Sequence, residues 1–142
     1  MPDPVNPLTA LERLRAAAAS GELDAICERR GVRVLGAFGS APRRLRHPED
    51  PLPRDLDLSV SFAGPARVLE LIDDLVQLTG YDGLDLLVLD DAEPLAKAEG
   101  YVGIGLYERE AGDWAIGQMA ALAERRDTAH LRRLDLDALR SP

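Results

Sequence analysis

Cysteine, histidine and long apolar runs are scarce in this 142-residue chain. The single cysteine, Cys27, cannot form an internal disulfide, so we expect a reduced, intracellular setting. The two histidines, His47 and His130, are too isolated to indicate a zinc site. No apolar run approaches the ~18 residues of a membrane span. The chain also starts without a basic segment followed by an apolar one, so we expect no signal peptide and a cytoplasmic protein.

Lysine is scarce as well, and acidic residues outnumber basic ones, 25 to 17. The net charge is −8, and Lys97 is the only lysine among 17 basic residues. An acidic surface repels phosphate backbones, which disfavours direct nucleic-acid binding. The same charge suits a basic protein partner, or an anionic ligand that cations bridge to the protein.

Apolar residues are present in sufficient number for a folded core. They make up 46% of the chain, and the length suits a single domain over residues 1–142. The pattern predicts a loop over 41–54, where prolines and arginines cluster, and a last helix or a C-terminal docking arm over 127–142. Hydrophobic periodicity predicts helices over 8–19, 22–30, 65–79, 92–99 and 113–126, strands over 32–38, 55–62 and 84–89, and an extended segment over 101–107. This order predicts an α/β domain with a small mixed β-sheet flanked by helices.

The predicted strand over 55–62 carries two aspartates on one face. Polar and apolar residues alternate along it, which places Asp55 and Asp57 on the same side, ~6.6 Å apart. Two carboxylates in one cleft can clamp two metal ions about 3.5–4 Å apart, the geometry that in-line phosphoryl chemistry uses. The alternative interpretation is a solvated strand face, where Asp-x-Asp is common.

A third aspartate, Asp85, interrupts the apolar run LDLLVL, which is typical of a central strand. A buried carboxylate without a partner is costly, so Asp85 should be paired, protonated or metal-bound. From a neighbouring strand it could supply a further metal ligand and a base. Magnesium prefers such hard oxygen ligands and keeps positions free for substrate phosphates. The alternative is an aspartate at the end of a strand that reaches solvent.

Gly39 and Ser40 follow the first predicted strand. Glycine allows backbone N–H groups to approach a phosphate closely, and serine adds a hydroxyl donor. Alone, this pair is typical of an ordinary turn at the end of a strand. The combination is more informative: Gly-Ser, fourteen residues, Asp-x-Asp on a strand, then one aspartate on a later strand.

The segments RVLGAFGSAPRR, RDLDLSV and LDLLVL resemble the minimal nucleotidyltransferase (MNT) family of the polymerase-beta-like superfamily. The resemblance extends from about Leu23 to Glu108 and implies the nucleotidyltransferase fold. Family members transfer a nucleoside monophosphate from a nucleoside triphosphate to an acceptor, with Mg²⁺ (or Mn²⁺) as cofactor. The resemblance implies a role for each of these residues. Gly39, Ser40 and Arg43 would bind the phosphates of the nucleotide. Asp55, Asp57 and Asp85 would bind the metal, and Asp85 would also activate the acceptor hydroxyl.

The loop after Gly-Ser departs from the family's usual Gly-Ser-Arg-Ala-Arg-Gly. Ala41 stands in place of the first arginine and Arg44 in place of the final glycine. The spacer before Asp55 is also longer than is common in the family, and rich in proline. These changes bear on the rate of catalytic turnover more than on the fold.

The small size indicates that a partner supplies the acceptor. Small members of this family resemble antitoxins that adenylylate and bind HEPN-type ribonuclease toxins, which implies AMP transfer from ATP to a hydroxyl of such a toxin. Two alternatives remain open: a catalytically silent module that neutralises a partner by contact, and a stand-alone enzyme that adenylylates a small molecule such as an aminoglycoside.

The apolar residues Trp114, Met119 and Leu122 of the late helix are expected in the core, the alternative being an exposed stripe that binds a partner. Tyr101 and Tyr107 are expected to pack.

Overall fold

Helices and strands alternate along most of the chain. The computed structural model describes residues 5–140, without the side chains of residues 130–132 and 134–140. Its helices are α1 (Pro7–Ser20), α2 (Glu22–Arg29), α3 (Ser40–Arg46), α4 (Val68–Thr79), α5 (Pro94–Gly100) and α6 (Asp113–Arg140). Its strands are β1 (Val32–Phe38), β2 (Leu56–Phe62), β3 (Leu84–Val88) and β4 (Gly103–Glu108), and a 3-10 turn, Leu89–Asp91, follows β3.

The strands form one mixed sheet in the order β3-β2-β1-β4. β2 and β3 are parallel and joined through α4, whereas β1 pairs antiparallel with both β2 and β4. This arrangement brings the carboxyl end of β1 to the same end of the sheet as the amino ends of β2, β3 and β4. We call it the open end, and it carries Gly39, Asp57 and Asp85.

Both faces of the sheet are covered by helices. On one face, α1, α2 and α4 pack against the apolar side of β1 and β2 and form the main core, which includes Leu14, Leu35 and Leu58. On the other face, α5 and α6 form a smaller core around Val34 and Tyr101. Among the described residues, none of the helices combines the length and the apolar character that a membrane span requires.

The polar face of β2 is buried beyond Asp57. Ser59 is fully buried and its hydroxyl donates to the carbonyl oxygen of Gly100, at 2.6 Å. The Ser61 hydroxyl donates to Asp90 Oδ1, at 2.7 Å. Because these serines lie under the second helical layer, the alternation along β2 leaves only its first polar positions exposed to a ligand at the open end.

Four predictions made from the sequence need correction. Residues 41–54 are not all loop, since α3 occupies the first half of this segment. β3 lies at the edge of the sheet rather than in its centre. Met119 and Leu122 are 71% and 41% exposed, so they do not belong to the core. The helix predicted to end at 126 continues to Arg140, so the tail up to that residue prolongs α6, and residues 141–142 lie outside the described chain.

Trp114 attaches α6 to the sheet. Its indole lies against Gly36 of β1 and Gly105 of β4, and its ring packs on Tyr101 with the centroids 5.0 Å apart. A Cβ added at Gly36 would overlap the outer atoms of the indole, and one at Gly105 would lie 3.2 Å from it. The two glycines therefore provide the flat surface that this tryptophan needs.

We expect Gly36→Ala to lower the free energy of unfolding by about 1–3 kcal/mol, because the added methyl group displaces the indole. Urea denaturation followed by tryptophan fluorescence measures it. Gly64→Ala is the matched control, since no heavy atom lies within 4 Å of a Cβ there and its φ is not in the left-handed region. Equal stability of the two variants would contradict this account of the packing.

Candidate active site

Gly39 joins β1 to α3 at the open end of the sheet. Its φ of 77° lies in the left-handed region, which glycine adopts without strain. A Cβ at this position would also stand 2.7 Å from Asp57 Oδ2. Glycine is thus required both for the backbone turn and for the approach of the Asp57 carboxylate, which places Ser40 at the start of α3 beside that carboxylate.

The strand register brings Asp57 next to Asp85, and Asp55 lies two residues before Asp57 in the chain. Asp57 of β2 is paired with Asp85 of β3, and residues paired on parallel strands point to the same face, with strands about 4.8 Å apart. Asp55 immediately precedes β2 and is exposed, as is Asp85, whereas Asp57 is half-buried. Asp85 is therefore not the buried carboxylate that the apolar run predicted, since an edge strand leaves its side chain in solvent.

Asp57 is the electrostatic centre of this group. Burial raises the pKa of its carboxyl group above the ordinary value, and the carboxylates of Asp85 and Asp55 raise it further. No three acidic, histidine or cysteine side chains among the described residues stand close enough together to hold a metal ion as they are placed. The donor set nevertheless fits magnesium chemically, because a divalent cation would relieve the repulsion that Asp57 experiences.

Two cavities meet at Ser40, Arg43 and Asp57. The first, which we call the loop compartment, has a volume of about 370 Å³ and is lined on its other side by residues 50–55. The second, the helix compartment, has a volume of about 530 Å³ and lies between α3, α5 and α6. Gly39 lines the helix compartment and Asp55 lines the loop compartment, whereas Asp85 lines neither.

The segment before Asp55 is held by Tyr81, which the sequence did not single out. The Tyr81 hydroxyl donates to the carbonyl oxygen of Arg54, at 2.9 Å, and the Leu56 N–H donates to the carbonyl oxygen of Gly83, at 3.0 Å. Burial, followed by the nearby Asp55 and Asp82, raises the pKa of the Tyr81 hydroxyl. These contacts fix the backbone on both sides of Asp55, and no local motif reveals them because the partners are 27 residues apart in the chain.

The two residues that depart from the family's loop, Ala41 and Arg44, lie in different environments. Ala41 is 1% exposed and belongs to the main core, so the position of the family's first arginine is a packing position here. Arg44 is half-buried, and its Nε has no hydrogen-bond partner among the described residues. Arg43 instead approaches Asp50, with Nε 3.9 Å from Oδ2, and both residues line the loop compartment.

The raised pKa of Asp57 has a consequence for stability. Between pH 3.8, the ordinary pKa of an aspartate, and the raised pKa, the Asp57 carboxyl group holds its proton in the folded protein but tends to lose it in the unfolded chain. Stability contributed by the proton is therefore lost as the pH rises through that window, and the charged form destabilises the fold at neutral pH.

In metal-free protein, we expect Asp57→Asn to raise the melting temperature at pH 7, with an advantage that shrinks as the pH falls toward the ordinary carboxyl pKa. Thermal unfolding in EDTA across this range measures it. Asp91→Asn, which changes an exposed carboxylate at the other end of the sheet, should show no such trend. A lower melting temperature for Asp57→Asn than for the wild-type protein at pH 7 would contradict a destabilising repulsion between the carboxylates.

Comparison with known proteins gives matches at the level of structure. No protein-family model and no curated protein matches the sequence. A crystal structure described as a toxin-antitoxin with AMP-PNP superposes with a TM-score of 0.62 at 16% identity, over 85% of this chain and 98% of that chain. A tri-AMPylated Shewanella oneidensis HEPN toxin in complex with MNT antitoxin gives 0.61 at 14% identity, over 89% and 99%.

The toxin-antitoxin MntA-HepT gives a TM-score of 0.59 at 15% identity, over 85% of this chain and 96% of that chain. At these identities the likeness establishes the fold. The chain therefore has the nucleotidyltransferase fold of the MNT proteins in these structures, as the resemblance in its sequence predicted.

Proposed function

We propose that this protein is a cytoplasmic, metal-dependent nucleotidyltransferase that transfers AMP from ATP to a hydroxyl of a protein partner. The partner is a HEPN-type ribonuclease toxin, which the protein neutralises as its antitoxin, acting as one minimal domain over residues 1–142. One observation carries the proposal: the Asp57 carboxylate packs against Gly39 at the start of α3, with Asp85 beside it in register and Asp55 two residues before it.

Each residue of the site has a role in this reaction. The acceptor oxygen forms a bond to the α-phosphorus of ATP, the bond from that phosphorus to its bridging oxygen breaks, and pyrophosphate leaves. Gly39, Ser40 and Arg43 bind the phosphates of the nucleotide. Asp85, at the exposed edge, accepts the proton of the acceptor hydroxyl.

The carboxylates also account for a metal requirement. Magnesium or manganese, held by Asp55, Asp57 and Asp85, would offset their repulsion of a triphosphate and draw charge from the α-phosphate. The carboxylates of Asp85 and Asp55 both raise the pKa of Asp57, so a cation bound beside Asp57 would be attracted by all three charges.

The structural neighbours support both the nucleotide and the partner. One was crystallised with AMP-PNP and another with an AMPylated HEPN toxin, although the identities of 16% and 14% establish only the fold for this chain. A second candidate function is neutralisation by contact alone. It is favoured by the apolar side chains that α6 exposes, since Ile116 is 67% and Met119 71% accessible.

We expect nucleotide binding to need a divalent cation, because three carboxylates otherwise repel the phosphates. Calorimetric titration with ATP should show roughly tenfold or higher affinity in magnesium than in EDTA. Asp57→Asn should lose much of this gain, whereas the control Asp91→Asn should keep it. Equal affinity with and without magnesium in the wild-type protein would sink the metal-dependent site.

Asp57→Asn separates the enzymatic function from neutralisation by contact. We expect transfer of labelled AMP to the HEPN-type toxin to fall by roughly a hundredfold or more, since a metal ligand acts chiefly in the transition state. Mass analysis of both proteins measures the transfer, with Asp91→Asn as the control.

A growth-rescue assay completes the test, with pull-down as the control for binding. If neutralisation depends on AMP transfer, Asp57→Asn binds the toxin but does not protect the cells. Full protection by this variant would favour the contact-only function and contradict the enzymatic one.

A further inference from the structure

We infer that the two compartments divide the substrates: the nucleotide occupies the helix compartment, where Arg46 and Arg125 bind its phosphates, and the acceptor enters through the loop compartment. The inference rests on the proposed function and assigns roles to two arginines outside the Gly-Ser and Asp-x-Asp motifs. The compartments share Ser40, Arg43 and Asp57, so substrates bound on the two sides would meet at the Asp57 carboxylate.

Charge distinguishes the two sides. In the helix compartment, the guanidinium groups of Arg43, Arg46 and Arg125 outnumber the carboxylates of Asp57 and Glu99. In the loop compartment, the balance is reversed, since three aspartates outnumber Arg43 and Arg54. A triphosphate is strongly anionic, so the guanidinium groups of the helix compartment favour it, and a cation held by the aspartates would meet its α-phosphate at the shared Asp57; a neutral hydroxyl on a peptide is compatible with the acidic side.

Arg46 and Arg125 come from different helices and are available for a ligand. Arg46 belongs to the last turn of α3 and Arg125 to the middle of α6, and both are exposed. Neither forms an ion pair with any side chain that the structure describes, whereas Arg43 leans toward Asp50 and Arg30 is paired with Asp74. Guanidinium groups bind phosphate oxygens through two parallel N–H donors, which suits a pair of arginines on opposite sides of a polyphosphate.

Size and apolar lining agree with the same assignment. The helix compartment, at about 530 Å³, lies within the usual range of small-molecule sites, roughly 300–1,000 Å³. Phe38, Pro42 and Val102 contribute to its wall and offer apolar surface to a base or ribose. The loop compartment is smaller and is bordered by Leu52, which is 60% exposed, so a peptide segment of a protein acceptor can reach it from solvent.

The test is calorimetric titration with a non-hydrolysable ATP analogue in magnesium. We expect Arg46→Gln and Arg125→Gln each to weaken binding by about five- to tenfold, because each removes one charged phosphate donor. Arg126→Gln, which changes the next residue along α6, does not alter the helix compartment and should bind the analogue like the wild-type protein. Arg54 lines the loop compartment and not the helix compartment, so Arg54→Gln should keep its affinity for the analogue but transfer AMP to the protein acceptor more slowly, because it alters the wall that the acceptor contacts.

Thermal melts of all four variants show whether each remains folded, and Arg46→Lys and Arg125→Lys, which keep the charge, should recover part of the affinity. Unchanged binding by Arg46→Gln and Arg125→Gln would overturn the inference, as would weakened binding by Arg54→Gln. Both results leave the proposed function standing if the wild-type protein binds the analogue. Absence of binding by the wild-type protein would instead overturn the proposed function and the inference together.

Discussion

The pairing of β1 with β2 sets the position of Gly39 relative to Asp57, on which the rest of the candidate site depends. It places Phe38 opposite Asp57, so the chain turns at Gly39 directly over the Asp57 carboxylate. The close approach of the carboxylate leaves no room for a Cβ at residue 39. The positive φ of the turn also favours glycine at this position. Parallel pairing of β3 then adds Asp85 on the same face. A shift of one residue in the register would turn these carboxylates to the opposite face of the sheet.

The two helical layers explain why the chemistry is confined to one end of the sheet. α5 and α6 bury the serines that continue the polar face of β2, and hydrogen bonds to Gly100 and Asp90 satisfy their hydroxyls. Only the aspartates at the start of the strand then remain near solvent, where they repel one another. α5 and α6 also contribute to the walls of the helix compartment, so elements that cover the sheet also shape the site.

Much of this arrangement could be predicted from local patterns. Strict alternation predicted the strand of Asp57, and β1 was placed over 32–38 as the structure has it. The edge position of β3 could not be predicted, because an apolar run fits a central strand or an edge strand covered by a helix. Long-range contacts were also missed, as the link from Tyr81 to Arg54 and the approach of Arg125 to the site depend on the tertiary fold. Met119 has helical apolar spacing but faces solvent, since periodicity does not show which face is covered.

The central claim is that Asp57 and its neighbours hold a divalent cation against a nucleotide at Gly39-Ser40. The most direct test is a crystal structure with manganese and a non-hydrolysable ATP analogue, in which anomalous scattering locates the metal. We expect a manganese peak within coordination distance of the Asp57 carboxylate and of the phosphate oxygens of the analogue. A nucleotide bound without manganese at Asp57, or manganese bound elsewhere on the chain, would contradict it.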